Sequence, residues 1–377
     1  MNDRIKRYSR IKYAVAIVEF VYLLLILALF QFSGLAIQLR IKVSSIFGNQ
    51  FFLIFFYCLL LFSLYFILNL PLEFYRSYAV EHRFGLTREK FPHWIADKIK
   101  EFFVGFTILI ILVEGFFFFL RYYPDNWWWI SSLFWIFFSV ILAKVFPVLI
   151  VPLFFKYKKI TDEELRRRIL NLADRMGIKI LEVYKIDFSK KTAKANAALV
   201  GLGKSKRVVL TDTLQGNFSP DEIEVILAHE FAHFRLRHLR KMLILNAALI
   251  LFIFYILFKF AGLIFSRFNL NLADIAGLGI WIFCFAVLQV CLIPLLNWIS
   301  RNMERDADFL AIKFSRLKEA FISMMNKLSQ QNLVERNPSR WIKIIFFDHP
   351  PVQERIALAE NFRDVSCANR KTVPEPS

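Results

Sequence analysis

The sequence predicts an α-helical multi-pass membrane protein of about six spans, with an α+β polar portion set between the fourth and fifth. Three observations carry this reading. Hydrophobic residues make up 57% of the 377-residue chain and charged ones 21%, against roughly 45–50% apolar in soluble domains, and mean hydropathy is +0.47. Six apolar segments reach the roughly 20 residues that a helix needs to cross a hydrocarbon core. Lys and Arg alternate between heavy and light loops, as they do when basic residues collect on the cytoplasmic side.

The spans fall at about residues 13–37, 51–70, 102–120, 127–146, 243–265 and 276–299. The first run is too long for a signal-peptide core and lacks a cleavage site, so it reads as a span. Trp127, Trp128 and Trp129 read as an interfacial aromatic belt opening the fourth. Arg4, Lys6, Arg7, Arg10 and Lys12 precede the first span, whereas the next loop holds only Arg40 and Lys42. Arg76, Arg83, Arg88, Lys90, Lys98 and Lys100 follow the second span, and Arg121 stands alone after the third. Residues 156–241 and the tail are basic, while 266–275 holds only Arg267, so both termini and both large polar segments are expected in the cytoplasm. Glu19 and Glu114 fall within apolar runs and are expected to face a polar interior, whereas Lys144 is expected to snorkel. The α+β portion starts with a helix at 162–177, followed by strands at 178–186 and 207–211. The expected units are therefore 1–155 (spans one to four, with a cytoplasmic loop at 71–101), 156–242 (polar portion), 243–299 (spans five and six) and 300–377 (cytoplasmic return segment and tail).

The net charge of +18 comes from 49 Lys and Arg against 31 Asp and Glu. A nucleic-acid partner would require a basic patch on a soluble module with a recognisable motif. None is present, and topology accounts for the charge. Of four cysteines, Cys58, Cys284 and Cys291 lie in apolar runs and Cys367 in the tail, so neither a disulfide framework nor a CxxC metal site is seen.

The chemistry centres on one helix. Ser219-Pro220-Asp221-Glu222 is a capping box with proline at the first helical position. The helix runs on into His229-Glu230-Phe231-Ala232-His233, an HExxH motif. Four residues apart on one helical face, both imidazoles reach one Zn²⁺, and Glu230 beside them can take a proton from water. A catalytic zinc site needs a third protein ligand. After the sixth span, Glu304, Asp306 and Asp308 offer carboxylates, and spacing alone does not choose among them and His349. Glu304 and Asp308 share a helical face, which suits Glu304 as ligand with Asp308 hydrogen-bonding a ligand imidazole. His82 and His93 read as loop histidines and His238 as an interfacial one, with no chemistry assigned.

These motifs together resemble the Ste24 family of integral-membrane zinc endopeptidases, the type I CAAX prenyl proteases of peptidase family M48. The resemblance covers about residues 70–358. Leu70-Pro71-Leu72 with Phe74-Tyr75 and Val80-Glu81-His82-Arg83-Phe84-Gly85 is similar to the family's LP…Y…(V/I)E…FG stretch. Asn196-Ala197-Ala198-Leu199-Val200-Gly201, with Lys206-Arg207-Val208-Val209-Leu210-Thr211-Asp212-Thr213-Leu214, resembles NAxxxG…KRIVLxDTL. The zinc helix with His238 resembles HELGHWKxxH. Ser300-Arg301, Glu304 and Ala307-Asp308-Phe309-Leu310-Ala311 match SRxxExxADxFA, and His349-Pro350-Pro351 with Glu354-Arg355 matches HPPxxER.

The resemblance implies that His229, His233 and Glu304 bind one Zn²⁺ per chain and that Glu230 is the general base. It implies that Asn196, His349 and Arg355 lie along the substrate groove, with His349 or Arg355 near the developing oxyanion. It also implies that the spans enclose a polar, water-filled chamber. Asn196, Ala197 and Gly201 would begin a hairpin whose edge adds an extended substrate strand; Arg355 has a second reading as an ion pair with Asp308. Expected partners are the bilayer and peptide or protein substrates, including prenylated C-termini. Eukaryotic members have a further span before the first seen here and a charged insert before the zinc helix. Their absence leans towards a prokaryotic inner membrane rather than the endoplasmic reticulum. A quality-control protease of the same fold, and a transporter or channel with a structural zinc, are the alternative readings.

Overall fold

The computed structural model describes residues 2–200 and 206–362. Helix α1 (Asn2–Phe32) stops where Gly34 takes φ +77, a left-handed conformation that glycine adopts without a Cβ penalty. The apolar run expected to continue to residue 37 is thereby split, and its last residues open a separate helix, α2 (Leu35–Ser44). Helix α3 (Gln50–Phe74) is capped by Asn49, whose side chain accepts from the Phe51 N–H at 2.8 Å. It contains Pro71, passes through a wide π-type turn at Tyr75–Ala79 and continues as α4 (Val80–Arg83). The helical run thus extends well past residue 70. Helices α5 (Phe91–Tyr122) and α6 (Trp127–Val145) follow, with α7 (Val151–Phe154) beyond a second π-type turn.

The sheet-bearing portion comes next. Strand β1 (Tyr157–Lys159) was not anticipated from the sequence. Helix α8 (Glu163–Arg175) starts where Asp162 accepts from the Leu165 N–H and ends at Gly177, φ +70. Ile178 N–H returns to the Ala173 carbonyl at 2.8 Å, closing the helix, so the strand expected from residue 178 begins only at β2 (Glu182–Ile186). Strands β3 (Ala197–Val200) and β4 (Arg207–Thr211) complete a sheet of order β1-β2-β4-β3. β2 and β4 are parallel and the other pairs antiparallel.

After α9 (Asp212–Asn217) come α10 (Pro220–Arg235), α11 (His238–Ser266) and α12 (Leu278–Ser315). The chain continues as α13 (Lys318–Gln331), α14 (Arg340–Phe346) and α15 (Val352–Glu360). Among the described residues, six helical stretches are long and apolar enough to cross a membrane: Asp3–Phe32, Gln50–Arg83, Phe91–Tyr122, Trp127–Phe154, His238–Ser266 and Ile275–Ser315.

Besides a small cluster of Ile5, Tyr8, Val80, Phe84, Leu86 and Leu333, two large cores hold the described residues. One joins α5, α6, α11 and α12, where Trp127 packs on Trp281 at 5.4 Å and on Phe116 at 5.7 Å between ring centroids. Trp127 is therefore a packing residue, 1% exposed, and of the three tryptophans only Trp129 is exposed as an interfacial belt requires. The other core packs the sheet against α8, α10, α12 and α13 through residues such as Leu172, Val183, Val208, Leu227 and Phe321. Helix α12, about 57 Å long at 1.5 Å per residue, belongs to both cores. Glu19 pairs with Arg76 at 2.9 Å, Glu114 Oε1 is buried without a hydrogen-bond partner among the described residues, and Lys144 is exposed.

Candidate metal centre and active site

Helix α10 begins as its sequence dictates. The Ser219 Oγ accepts from the Glu222 N–H, and the Glu222 carboxylate accepts from the Ser219 N–H at 2.8 Å. From this fixed start, the apolar face of Val225, Leu227, Ala228, Phe231 and Ala232 is buried against the sheet and α12. That burial sets the rotation of the helix and directs His229 and His233 towards α12, with their Nε2 atoms 3.1 Å apart.

Helix α12 delivers Glu304 to the same point. Its Oε2 lies 3.2 Å from His229 Nε2 and its Oε1 lies 3.1 Å from His233 Nε2. These three side chains form a cluster able to hold one metal ion. Glu304 is 6% exposed, and its Oε2 has no hydrogen-bond donor among the described residues. A buried carboxylate oxygen left this way is costly unless a cation satisfies it. The residues therefore fit a divalent ion. Asp306 is exposed and outside the cluster.

Asp308, fully buried one turn further along α12, places Oδ1 2.9 Å from His229 Nδ1. Arg355, at the start of α15, donates to both Asp308 oxygens, from Nε at 2.7 Å and from Nη2 at 2.5 Å. The guanidinium that the resemblance places near the oxyanion is thus engaged with Asp308, in its second reading. Burial disfavours a charged His229, yet the Asp308 and Glu304 carboxylates outweigh it and raise its pKa from 6.5 to about 9. The same negative surroundings favour a cation. Burial lifts the Glu230 carboxyl above its usual range, with His229 and His233 drawing it back.

His349 reaches the cluster from the loop after α14, its Nε2 3.4 Å from Glu304 Oε2 and its Nδ1 2.8 Å from Asp348 Oδ1. Burial lowers its pKa, but Asp348 and Glu304 more than offset this. Asn196 and Ala197 sit at the start of β3, the edge strand, which has β4 as its pairing partner and packs beside α10. The Asn196 side chain accepts from the Ala197 N–H at 2.9 Å. Gly201 lies outside the described residues. His238, read as interfacial, is instead 3% exposed and in contact with His233.

Asp308→Ala should lower metal affinity by about 10–100-fold, as losses of a ligand's orienting partner do. It should also destabilise the protein by about 3–5 kcal/mol, because Arg355 is left buried and unpaired. Chelator competition and thermal unfolding in detergent check the two effects separately.

This fold and this cluster define a membrane-embedded metallopeptidase. The profile of peptidase family M48 matches residues 159–363, and that of the CAAX prenyl protease N-terminal region, described as five membrane helices, matches residues 2–156. The chain belongs to peptidase family M48. It is similar to the uncharacterized metalloprotease YhfN of Bacillus subtilis, 29% identical over 299 residues, covering 78% of this chain and 70% of that one. CAAX prenyl protease 1 of Saccharomyces cerevisiae is 29% identical over 321 residues, covering 80% and 70%. The crystal structure of S. mikatae Ste24p superposes with a TM-score of 0.84 at 25% identity, over 94% of this chain and 88% of that one. The molecule is accordingly a membrane metalloendopeptidase of the CAAX prenyl protease type acting on peptides or proteins.

Proposed function

We propose that His229, His233 and Glu304 hold one Zn²⁺ and that Glu230 is the general base of peptide hydrolysis. The observation that carries this is the convergence of two imidazole nitrogens and a buried carboxylate within about hydrogen-bond distance of one another. Two nitrogens and one oxygen are the donor set of many catalytic zinc sites. Bound there, the ion supplies Lewis acidity, withdrawing charge from a carbonyl oxygen and making water nucleophilic near neutral pH. Glu230, raised in pKa by burial, accepts a proton from the attacking water and returns it to the departing amine nitrogen. His349 presents Nε2 to the same space, where a hydrogen-bond donor stabilises the oxygen that gains charge. Arg355 holds Asp308 against His229 and so keeps that ligand in place.

The side of β3 that has no partner strand among the described residues accepts an extended peptide by adding a strand, with Asn196 and Ala197 at its start. Peptides and proteins are the substrates, prenylated C-termini among them where the host makes them, in line with the name of the yeast relative. The protein resides in a prokaryotic inner membrane with the metal site on the cytoplasmic side. This orientation rests on the Lys and Arg distribution. Reporter fusions should read outside after Asn126 and Asn269 and inside after Gly216; an outside reading at Gly216 would reverse the orientation.

The substrate class is tested with one peptide in farnesylated and unmodified forms. Mass spectrometry of the products should show zinc-dependent cleavage near the C-terminus, faster for the farnesylated form. Equal rates on both would remove the lipid from substrate recognition, and no cleavage of either would overturn the proposed substrate class.

A further inference from the structure

The two metal-facing histidines differ in what stands behind them. Resting on the metal reading above, Nε2 is the metal-facing atom of His233, 3.1 Å from both His229 Nε2 and Glu304 Oε1. A neutral imidazole that ligates through Nε2 carries its proton on Nδ1, and a buried N–H needs an acceptor. For His229 the atom behind the ring is a carboxylate oxygen of Asp308. For His233 it is another imidazole nitrogen, Nδ1 of His238, at 2.9 Å.

The chain makes a local departure to bring this about. His238 follows His233 by five residues, which on one continuous helix would turn it about 140° away. Arg237 interrupts the helix with φ 57 and ψ 34, a left-handed conformation that is strained for a residue with a Cβ. α10 ends, α11 starts at His238, and the His238 ring folds back on His233, with centroids 5.0 Å apart and planes at 70°. The ring is 3% exposed, and its Nε2 is buried with no hydrogen-bond partner among the described residues. Packing alone does not account for a buried imidazole with one nitrogen unsatisfied, since an apolar side chain would fill the space without that penalty.

We propose that His238 is the positioning residue for the metal ligand His233. Its Nδ1 accepts the His233 Nδ1–H, which fixes the tautomer and holds Nε2 towards His229 and Glu304. The metal therefore has a ligand backed by a neutral acceptor beside one backed by a carboxylate.

The test uses the purified full-length protein in detergent, with Zn²⁺ affinity measured by chelator competition. His238→Ala should weaken affinity by about 10–100-fold. His238→Asn, whose Oδ1 can take the place of Nδ1 as acceptor, should retain most of it. If the alanine variant does not fold, His238→Leu fills the space without an acceptor and takes its place. The melting temperature of the zinc-stripped proteins distinguishes positioning from packing. Wild-type affinity in the alanine or leucine variant would overturn the proposal. So would an asparagine variant that loses as much affinity as alanine while both stripped proteins melt earlier. Failure of the wild type to bind Zn²⁺ would instead overturn the metal reading itself.

Discussion

Glu230→Gln is expected to keep about one zinc per chain while lowering peptide cleavage by about 10²–10⁴-fold, the usual loss on removing a general base. The substitution keeps the shape of the side chain and removes its ability to accept and release a proton. Glu230 follows His229 directly on α10, but the metal-facing set comprises His229, His233 and Glu304. The change should therefore act on kcat and leave metal content alone. Elemental analysis beside cleavage rates on the same preparation separates the two. Near wild-type turnover would assign proton transfer to another group.

Glu304→Ala should abolish both metal binding and activity. Glu304 supplies the only carboxylate of the three-residue cluster, and it does so from α12, a different element from the two histidines. Losing it leaves two ligands from one helix, fewer than the three that catalytic zinc sites use. The expected result is less than about a tenth of the wild-type zinc content after dialysis, since a lost ligand costs at least the tenfold that a lost orienting partner does. Full zinc retention in this variant, with loss in Asp308→Ala, would move the third ligand to Asp308.

The parts of the molecule legible in its sequence are those decided locally. The capping box at Ser219, the HExxH spacing and the length of the apolar runs each depend on near neighbours, and α10 and the six membrane-length helices follow. What was missed depends on distant partners or on single backbone angles. Trp127 is as apolar as its lipid-facing neighbours, and composition does not distinguish a ring against Trp281 from one against lipid, because both surroundings are hydrocarbon. Gly34 ended the first helix early through one left-handed residue. Arg237 did the same between α10 and α11, and a left-handed arginine leaves no mark in the sequence; hence His238 read as a residue without a role. β1 is three residues long and forms only by pairing with β2.

The third ligand lay between these extremes. Spacing placed Glu304, Asp306 and Asp308 near the right point of the chain, but the rotation of α12 decides among them. That rotation is set by Ala307 and Ala311, which are fully buried against the sheet-bearing core. Those alanines bring Glu304 and Asp308 inward and leave Asp306 outside. Arg355 follows the same logic, since its pairing with Asp308 spans 47 positions of sequence.

The central claim is that the metal held by His229, His233 and Glu304 drives peptide cleavage. It is tested most directly by stripping the purified protein with a chelator and titrating Zn²⁺ back while following cleavage of a farnesylated peptide. Activity should vanish on stripping, return in proportion to added zinc, and level off at about one ion per chain, with no recovery in Glu304→Ala. Cleavage that survives complete removal of the metal would contradict it.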